Sequence, residues 1–215
     1  MKISVLINNY NYAEYITECL NSVSQQTRSA DEVIVVDDGS TDHSVEVIKK
    51  HSLNVTCITQ SNQGQLAAIT AAINQSSGDI LCFLDSDDKW KPNYLEEILE
   101  AFNAPSAPDF VYVGLEKFGE ETGPFRICEF SADTLIPSSR QILLTRRLYL
   151  GSPTSGNSIR AHRARELILK VSPAQFEDYR TCADNILVFG ASLMGCRKMQ
   201  LRALLVDYRV HTKNN

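Results

Sequence analysis

Three aspartates within four residues give this sequence its first chemical signal. Asp85, Asp87 and Asp88 directly follow the apolar run 80–84. Carboxylates this close repel one another, and their burial is costly unless a positive charge offsets it. A hard divalent cation, Mg²⁺ or Mn²⁺, binds carboxylate oxygens and commonly carries a ligand's phosphates with it. The spacing therefore indicates a bound metal with a diphosphate, with turn and helix-cap residues as the plainer alternative.

Two further polar clusters also follow apolar, strand-like runs. Residues 8–11 come after the run 3–7, and Asp37 and Asp38 come after the run 33–36. Ligands of open parallel sheets bind beyond the carboxyl ends of the strands, where all these clusters would meet. One acidic cluster alone would favour a turn, whereas two at strand ends favour a binding site.

The familiar phosphate-binding loops are missing from the sequence. The first strand–helix turn contains no glycine, and no GxxxxGK[ST] loop occurs anywhere in the chain. Phosphates at this edge would therefore be neutralised mainly by the metal.

The first half of the chain has the pattern of a sheet that could bring these clusters together. Apolar runs at 3–7, 33–36 and 80–84, with a weaker one at 54–58, alternate with helical stripes of apolar residues. Repeated strand–helix units with unbroken apolar strands predict an α/β fold, with a mostly parallel, Rossmann-like sheet flanked by helices.

The pattern changes after about residue 104. Runs at 110–118 and 124–130 predict a hairpin, and a helical stretch is expected at 140–150. A loop at 151–156, two more helical stretches and a strand at 200–210 should follow. We expect a single domain over residues 1–215, with a nucleotide-binding half (1–104) and a mixed second half (105–215).

Composition narrows the function class. The formal net charge of −5 argues against a nucleic-acid-binding protein, which would normally present a basic surface. The six cysteines form no CxxC pair and lie mostly in apolar stretches, which is typical of reduced, buried thiols in a cytoplasmic protein. No run approaches the ~20 apolar residues that span a bilayer, so membrane contact could only be peripheral. A homodimer through the strand at 54–58 or the hairpin stays open.

Taken together, three segments resemble the nucleotide-binding half of family 2 glycosyltransferases with the GT-A fold. They are ISVLINNYNY at 3–12, EVIVVDDGSTD at 32–42 and GDILCFLDSDD at 78–88. The second half adds segments that are similar to the acceptor-side half of that family, at 155–160, 183–187 and 208–211. Many relatives continue beyond the equivalent of Asn215, so the chain is either a module of a longer protein or a minimal enzyme.

The resemblance implies roles on the donor side. Asn8 and Tyr10 would line the pocket for the base, Asp38 would hydrogen-bond that base, and Asp37 would support the loop. The remaining donor-side residues would be the loop residues Gln63 and Gly64 and the DxD element Asp85, Ser86 and Asp87.

It also implies a metal site and an acceptor side. Asp87 or Asp88 would bind Mn²⁺ or Mg²⁺, with His211 as a further metal or diphosphate contact. Asp184 falls at the position of the general base, although Ala183 stands where relatives more often have an acid. Asn157 and Arg160 would face the acceptor or simply belong to the surface.

The implied activity is transfer of a sugar, with inversion, from a nucleotide sugar (a UDP-sugar) to a hydroxyl of a glycan or lipid-linked acceptor. Such an enzyme would build a polysaccharide or cell-surface glycan, in the cytoplasm or at the inner face of the membrane. One alternative is a non-catalytic module that only binds nucleotide sugars. A phosphoacceptor signalling domain also has clustered aspartates, but it leaves the second half of the chain unexplained.

Overall fold

A central sheet of ten strands organises the chain. The structure is a computed structural model that describes residues 1–126 and 130–212. The strands in chain order are β1 Ile3–Asn9, β2 Glu32–Asp37, β3 Thr56–Thr59, β4 Ile80–Asp85, β5 Lys89–Trp90, β6 Phe110–Gly119, β7 Gly123–Arg126, β8 Thr134–Ile136, β9 Asn157–Arg160 and β10 Lys198–Val210.

Helices connect these strands and cover both faces of the sheet. In chain order they are α1 Ile16–Ser24, α2 Ser44–Lys50, α3 Gln65–Gln75, α4 Tyr94–Asn103, α5 Ser139–Arg146, α6 Ala161–Ile168, α7 Pro173–Asp178 and α8 Asp184–Leu193. A 3-10 turn, Thr154–Gly156, precedes β9.

Strand order confirms the parallel sheet predicted for the first half. The order is β3-β2-β1-β4-β9-β6-β10-β5, with β7 added to β6 and β8 added to β10. β1 pairs in parallel with β2 and β4, and this register sets Asn9 opposite Asp37 and Asn8 opposite Asp85. The polar clusters therefore meet at one edge, as their positions after apolar strands predict.

The second half completes the same sheet. β9 lies antiparallel between β4 and β6, and β10 runs parallel to β6. The sequence did not predict β9, because four residues are too few to show a period. Three helices follow the loop at 151–156, whereas two were expected. The predicted hairpin is present as β6 and β7, although residues 127–129 of its second run lie outside the described part of the chain.

Apolar side chains fill both faces of the sheet. Val5 and Ile7 belong to a cluster that packs against α1 and α4, while Leu6 belongs to a cluster that packs against α3 and α8. All three side chains are almost completely buried. Such two-sided burial explains why the strands are unbroken apolar runs, and it fixes the strand ends on a rigid base.

The cysteines in the described residues are all free thiols, as expected: Cys19, Cys57, Cys82, Cys182 and Cys196. Cys128 lies outside the described residues. Cys182 is exposed, which corrects the expectation of buried thiols for this position, and it has a positive φ of 56°. Among the described residues no helix is long and apolar enough to cross a membrane.

Leu84→Ala should lower the free energy of unfolding by about 2–5 kcal/mol, because the lost side chain leaves a cavity beneath the site. The side chain of Leu84 is 0% exposed, whereas that of Leu169 is 87% exposed. The same substitution at Leu169 is the matched control and should cost about 0.5 kcal/mol or less. Urea unfolding followed by circular dichroism measures both, and equal costs would contradict the core position of Leu84.

Candidate active site

A cleft of about 450 Å³ opens at the carboxyl edge of the parallel strands. Its volume lies in the range of ligand-binding pockets. Of the residues predicted for the site, the structure brings seven together in its lining: Asn8, Tyr10, Asp38, Gly64, Asp85, Asp87 and Asp184. We call this cleft the carboxylate crevice.

Asp85 ends β4 at the centre of the carboxylate crevice. Its Oδ1 accepts hydrogen bonds of 2.9 Å from both Asn8 Nδ2 and Gln65 Nε2. The backbone nitrogen of Asp85 donates to Ser155 Oγ at 3.0 Å, which holds the end of the strand in place. Within residues 1–126 and 130–212, the side chains that hydrogen-bond this carboxylate are therefore neutral amides.

Burial makes the charge of Asp85 costly. Desolvation, and then the neighbouring charge of Asp87, raise the pKa of Asp85 to about 7. Desolvation also raises the pKa of Asp87, opposed by its hydrogen bond to His211. Acidic groups whose pKa is raised by burial and by like charges are typical of functional sites.

His211 follows β10 and is buried against Asp87. Its Nε2 lies 3.0 Å from Asp87 Oδ2. The imidazole ring contacts the rings of Tyr12 and Tyr15, with centroids 5.6 and 4.9 Å away. His211 is only 8% exposed. The sequence left open whether this histidine lies in the site or on the surface, and the structure places it in the interior beside Asp87.

Asp88 does not reach the carboxylate crevice, although the sequence placed it among the candidate metal ligands. It is 1% exposed, its Oδ1 accepts from the backbone nitrogen of Arg209 at 2.8 Å, and its Oδ2 accepts from Ser155 Oγ at 2.6 Å. One oxygen therefore joins the loop to β10, and the other joins it to the 3-10 turn. Ser86 is likewise buried and outside the lining of the crevice.

The two aspartates after β2 have different environments. Asp37 is buried, and its carboxylate accepts hydrogen bonds from Asn9 Nδ2 and from the hydroxyl and backbone nitrogen of Ser40, a set that supports the loop. Asp38 lines the crevice and closes the next turn. It accepts from Gln60 Nε2, from the backbone nitrogen of Gln63 and from that of Gly64, at 2.7, 2.9 and 2.7 Å.

This turn corrects the expectation for Gln63 and explains Gly64. The side chain of Gln63 lies in a separate groove outside the carboxylate crevice, and only its backbone serves the site. Gly64 has a φ of +92°, and a Cβ there would lie 2.6 Å from the Cα of Arg180. Glycine is therefore needed both for the backbone conformation and for the close approach of residues 180–183.

Asp184 is the first residue of α8 and faces the crevice from its second half. The hydroxyl of Tyr149 donates to Asp184 Oδ2 at 3.0 Å. The start of a helix also stabilises a negative charge through its backbone dipoles. Asp184 is half-buried, so its carboxylate is held in place and still open to the cavity.

Asn157 and Arg160 lie elsewhere, which corrects their assignment to the acceptor side. Asn157 is fully buried, and its amide is bonded to the backbone of Ser152 and Pro153. Arg160 pairs with the first residue of β4, at the opposite end from Asp85, and donates to the backbone oxygens of residues 102 and 108. Both side chains hold loops together.

Several residues of the crevice were not predicted from the sequence. The most notable is Gln65, which belongs to the segment 63–65 that resembles the donor-side loop of the family but to which the sequence assigned no role. Residues 180–182 lie between two helices, where no periodic pattern exists to place them. The other unpredicted lining residues include Tyr12, Asn62, Thr154 and Tyr208.

The sequence model of the family described as glycosyl transferase family 2 matches residues 4–167. The chain is 36% identical over 227 residues to an uncharacterised glycosyltransferase, alr2836, of Nostoc sp. (strain PCC 7120), covering 100% of this chain and 66% of that relative. It is 37% identical over 94 residues to the poly(ribitol-phosphate) beta-N-acetylglucosaminyltransferase TarS of Staphylococcus aureus, covering 41% of this chain and 16% of TarS. The chain thus spans less than two thirds of the length of either relative.

Solved structures show the same fold. The structure of S. aureus TarS 1–349 in complex with UDP-GlcNAc superposes with a TM-score of 0.81 and 21% identity, covering 100% of this chain and 60% of that one. The mannosyltransferase PcManGT from Pyrobaculum calidifontis, in complex with GDP-Man and Mn²⁺, gives a TM-score of 0.70 and 18% identity, with coverages of 99% and 58%. These likenesses establish the predicted GT-A fold.

The raised pKa of Asp85 should make the stability of the cation-free protein depend on pH. The pKa of this carboxyl is about 7 in the folded state, against about 4 in an unfolded chain. Between these values the folded protein binds more protons than the unfolded one. The contribution of Asp85 to stability is therefore fully present below about pH 4 and is lost as the pH rises toward 7.

Asp85→Asn should remove this loss, because asparagine keeps the Oδ1 acceptor and carries no charge. In EDTA at pH 8 we expect the free energy of unfolding of the variant to exceed that of the wild type by about 1–3 kcal/mol. This difference should disappear near pH 4. Urea unfolding at pH 4, 6 and 8 measures this, with the exposed Asp178→Asn as control. A variant less stable than the wild type at pH 8 would contradict this, because it would show that the ionised form of Asp85 does not destabilise the folded protein.

Proposed function

Because the chain belongs to glycosyl transferase family 2, we propose that it transfers a sugar from a nucleotide sugar to a hydroxyl group of an acceptor. The observation that carries this proposal is the convergence of Asp38, Asp85, Asp87 and Asp184 on one cavity. That cavity has a donor end built from the parallel strands and an opposite wall built from α8. A two-substrate reaction needs both.

The proposed donor is a UDP-sugar. Asn8, Tyr10 and Asp38 lie along the strand end where the resemblance expects the nucleotide base, and the side chain of Tyr10 is 43% exposed at the mouth of the crevice. An exposed ring there offers a face on which a base can stack. The complex of TarS with UDP-GlcNAc supports a uridine donor. The complex of PcManGT with GDP-Man makes GDP-sugars the class to test against it.

Asp87 and His211 are the residues that fit a divalent cation, Mn²⁺ or Mg²⁺. A carboxylate and an imidazole 3.0 Å apart are both suitable ligands, and Asp87 is a desolvated carboxyl beside a second one. Within the described ranges no group of three or more His, Cys, Asp or Glu side chains could hold an ion by itself. Diphosphate oxygens and water would then complete the coordination, as is usual for Mg²⁺. When bound, the cation would offset the charge of the departing diphosphate.

Asp184 is the proposed general base. The acceptor hydroxyl oxygen would form a bond to the anomeric carbon as its proton passes to Asp184, while the bond from that carbon to the diphosphate breaks. UDP leaves with the bonding electron pair. Attack from the face opposite the diphosphate would invert the anomeric configuration. The hydrogen bond from Tyr149 orients the carboxylate for this transfer.

The proposed acceptor is a glycan or a lipid-linked glycan in the synthesis of a polysaccharide or cell-surface polymer. The name of TarS, a transferase acting on poly(ribitol-phosphate), supports a polymeric surface acceptor. We place the reaction in the cytoplasm, with peripheral contact at the inner face of the membrane. Helix α5 supports that contact, because Leu144 is 64% exposed beside the exposed Arg140 and Arg146. Basic residues are drawn to the anionic lipids of that leaflet.

Calorimetric titration with UDP, GDP and dTDP, each with and without Mn²⁺, tests the donor and the metal. We expect UDP to bind only when Mn²⁺ is present, and Asp87→Ala to abolish that metal dependence because it removes the carboxylate that lines the crevice. Asp178→Ala, on the surface of α7, is the control and should bind as the wild type does. Undiminished Mn²⁺-dependent binding in Asp87→Ala would refute the metal site. Binding of GDP but not of UDP would show that the donor is a GDP-sugar instead of a UDP-sugar.

Asp184→Asn should leave UDP affinity within about twofold of the wild type and lower the rate of transfer by about 10²- to 10⁴-fold, because only the proton acceptor is lost. The rate is followed as UDP release from UDP-GlcNAc, with water or glycan acceptors. Full activity in this variant would place the base elsewhere. Binding without turnover by the wild type, against every acceptor, would favour the non-catalytic module.

A further inference from the structure

The side chain of Gln65 bridges the two walls of the carboxylate crevice. Its Nε2 donates to Asp85 Oδ1 at 2.9 Å, and its Oε1 accepts from the backbone nitrogen of Ala183 at 2.9 Å. Ala183 immediately precedes Asp184 at the start of α8. One amide group therefore contacts the donor-side carboxylate and the backbone that carries the proposed base.

The orientation of this amide is fixed by its partners. A backbone N–H can only donate, and an ionised carboxylate can only accept, so the amide nitrogen must face Asp85 and the amide oxygen must face Ala183. Nε2 has a second, longer contact of 3.4 Å with Thr154 Oγ1. If the amide were flipped, its oxygen would face the acceptor Asp85 Oδ1, and its NH₂ group would face the N–H donor of Ala183.

The backbone around Gln65 makes the same connection. Its nitrogen donates to the backbone oxygen of Arg180 at 2.7 Å, and Arg180 in turn donates to the side chain of Asn62. Asp38 holds the turn before Gln65, through its bonds to residues 63 and 64. Residues 180–183 are thus attached at several points to the first turn of α3, and Gln65 is the member of this attachment that also reaches Asp85.

We propose that Gln65 is a positioning residue that sets the distance and direction between Asp85 and Asp184. The inference rests on the proposed function, since it assigns these two carboxylates to donor and acceptor. A neutral amide suits the role, because it satisfies Asp85 without cancelling the charge that attracts a cation. Displacement of a reacting group by about 1 Å can cost on the order of 10²-fold in rate, so a rigid link of this kind matters to transfer more than to binding.

Two substitutions separate positioning from simple anchoring. Gln65→Met has a similar size and loses both hydrogen bonds. Gln65→Glu keeps an oxygen for the N–H of Ala183 but repels Asp85. The matched control is Gln75→Met, the same change at the exposed last residue of α3.

The measurements are UDP affinity with Mn²⁺, the kcat and KM for UDP release from UDP-GlcNAc, and amide hydrogen exchange at Ala183. Gln65→Met should lower kcat by about 10- to 100-fold, keep UDP affinity within about threefold, and speed exchange at Ala183. Gln65→Glu should restore the protection of Ala183 without restoring kcat. Gln75→Met should match the wild type in all three measurements.

Unchanged kcat in Gln65→Met would overturn the inference. Recovery of kcat together with protection in Gln65→Glu would also overturn it, because anchoring of α8 would then be sufficient. A wild-type protein that neither binds nor turns over any nucleotide sugar would refute the proposed function itself. That result comes from the wild type alone, whereas failure of the Gln65 inference appears only in the variants, so the two outcomes can be distinguished.

Discussion

The desolvated carboxylate of Asp85 is the constraint around which this molecule is arranged. Its position follows from strand register, since β1 and β4 pair with Asn8 opposite Asp85. Two neutral amides, from β1 and α3, hold one of its oxygens and leave the charge uncompensated. A buried carboxylate of this kind is unfavourable in the protein alone, and the proposed cation with its diphosphate would make it favourable.

The strands that carry this edge could be predicted because burial on both faces leaves a strong sequence signal. The ends of those strands could not be resolved in the same way. Asp87 and Asp88 are adjacent and chemically identical, yet one faces the crevice and the other is enclosed by Ser155 and Arg209. Beyond the end of a strand no alternation decides which side chain points where. Contacts with residues far along the chain make that choice.

The same limit applies to the second half of the site. The sequence proposed a role for Asp184 through its motif, but it assigned none to Tyr149, which hydrogen-bonds Asp184, or to the bridging Gln65. Conversely, Asn157 and Arg160 belong to a matching segment and serve only to hold loops. Resemblance locates a segment in the fold, whereas the function of each side chain depends on the local direction of the backbone. In β9 that direction is set by two neighbouring strands at once.

The position of β9 also governs how the chain can be built during synthesis. Ile159 of β9 pairs with Leu81 of β4 on one side and with Phe110 of β6 on the other. When the ribosome has synthesised β1 to β4, the outer edge of β4, with five apolar residues before Asp85, is still unpaired. It stays unpaired until residue 160 emerges, and such edges are where nascent chains associate wrongly. The length of chain between β4 and β9 therefore sets how long this edge stays unpaired during synthesis.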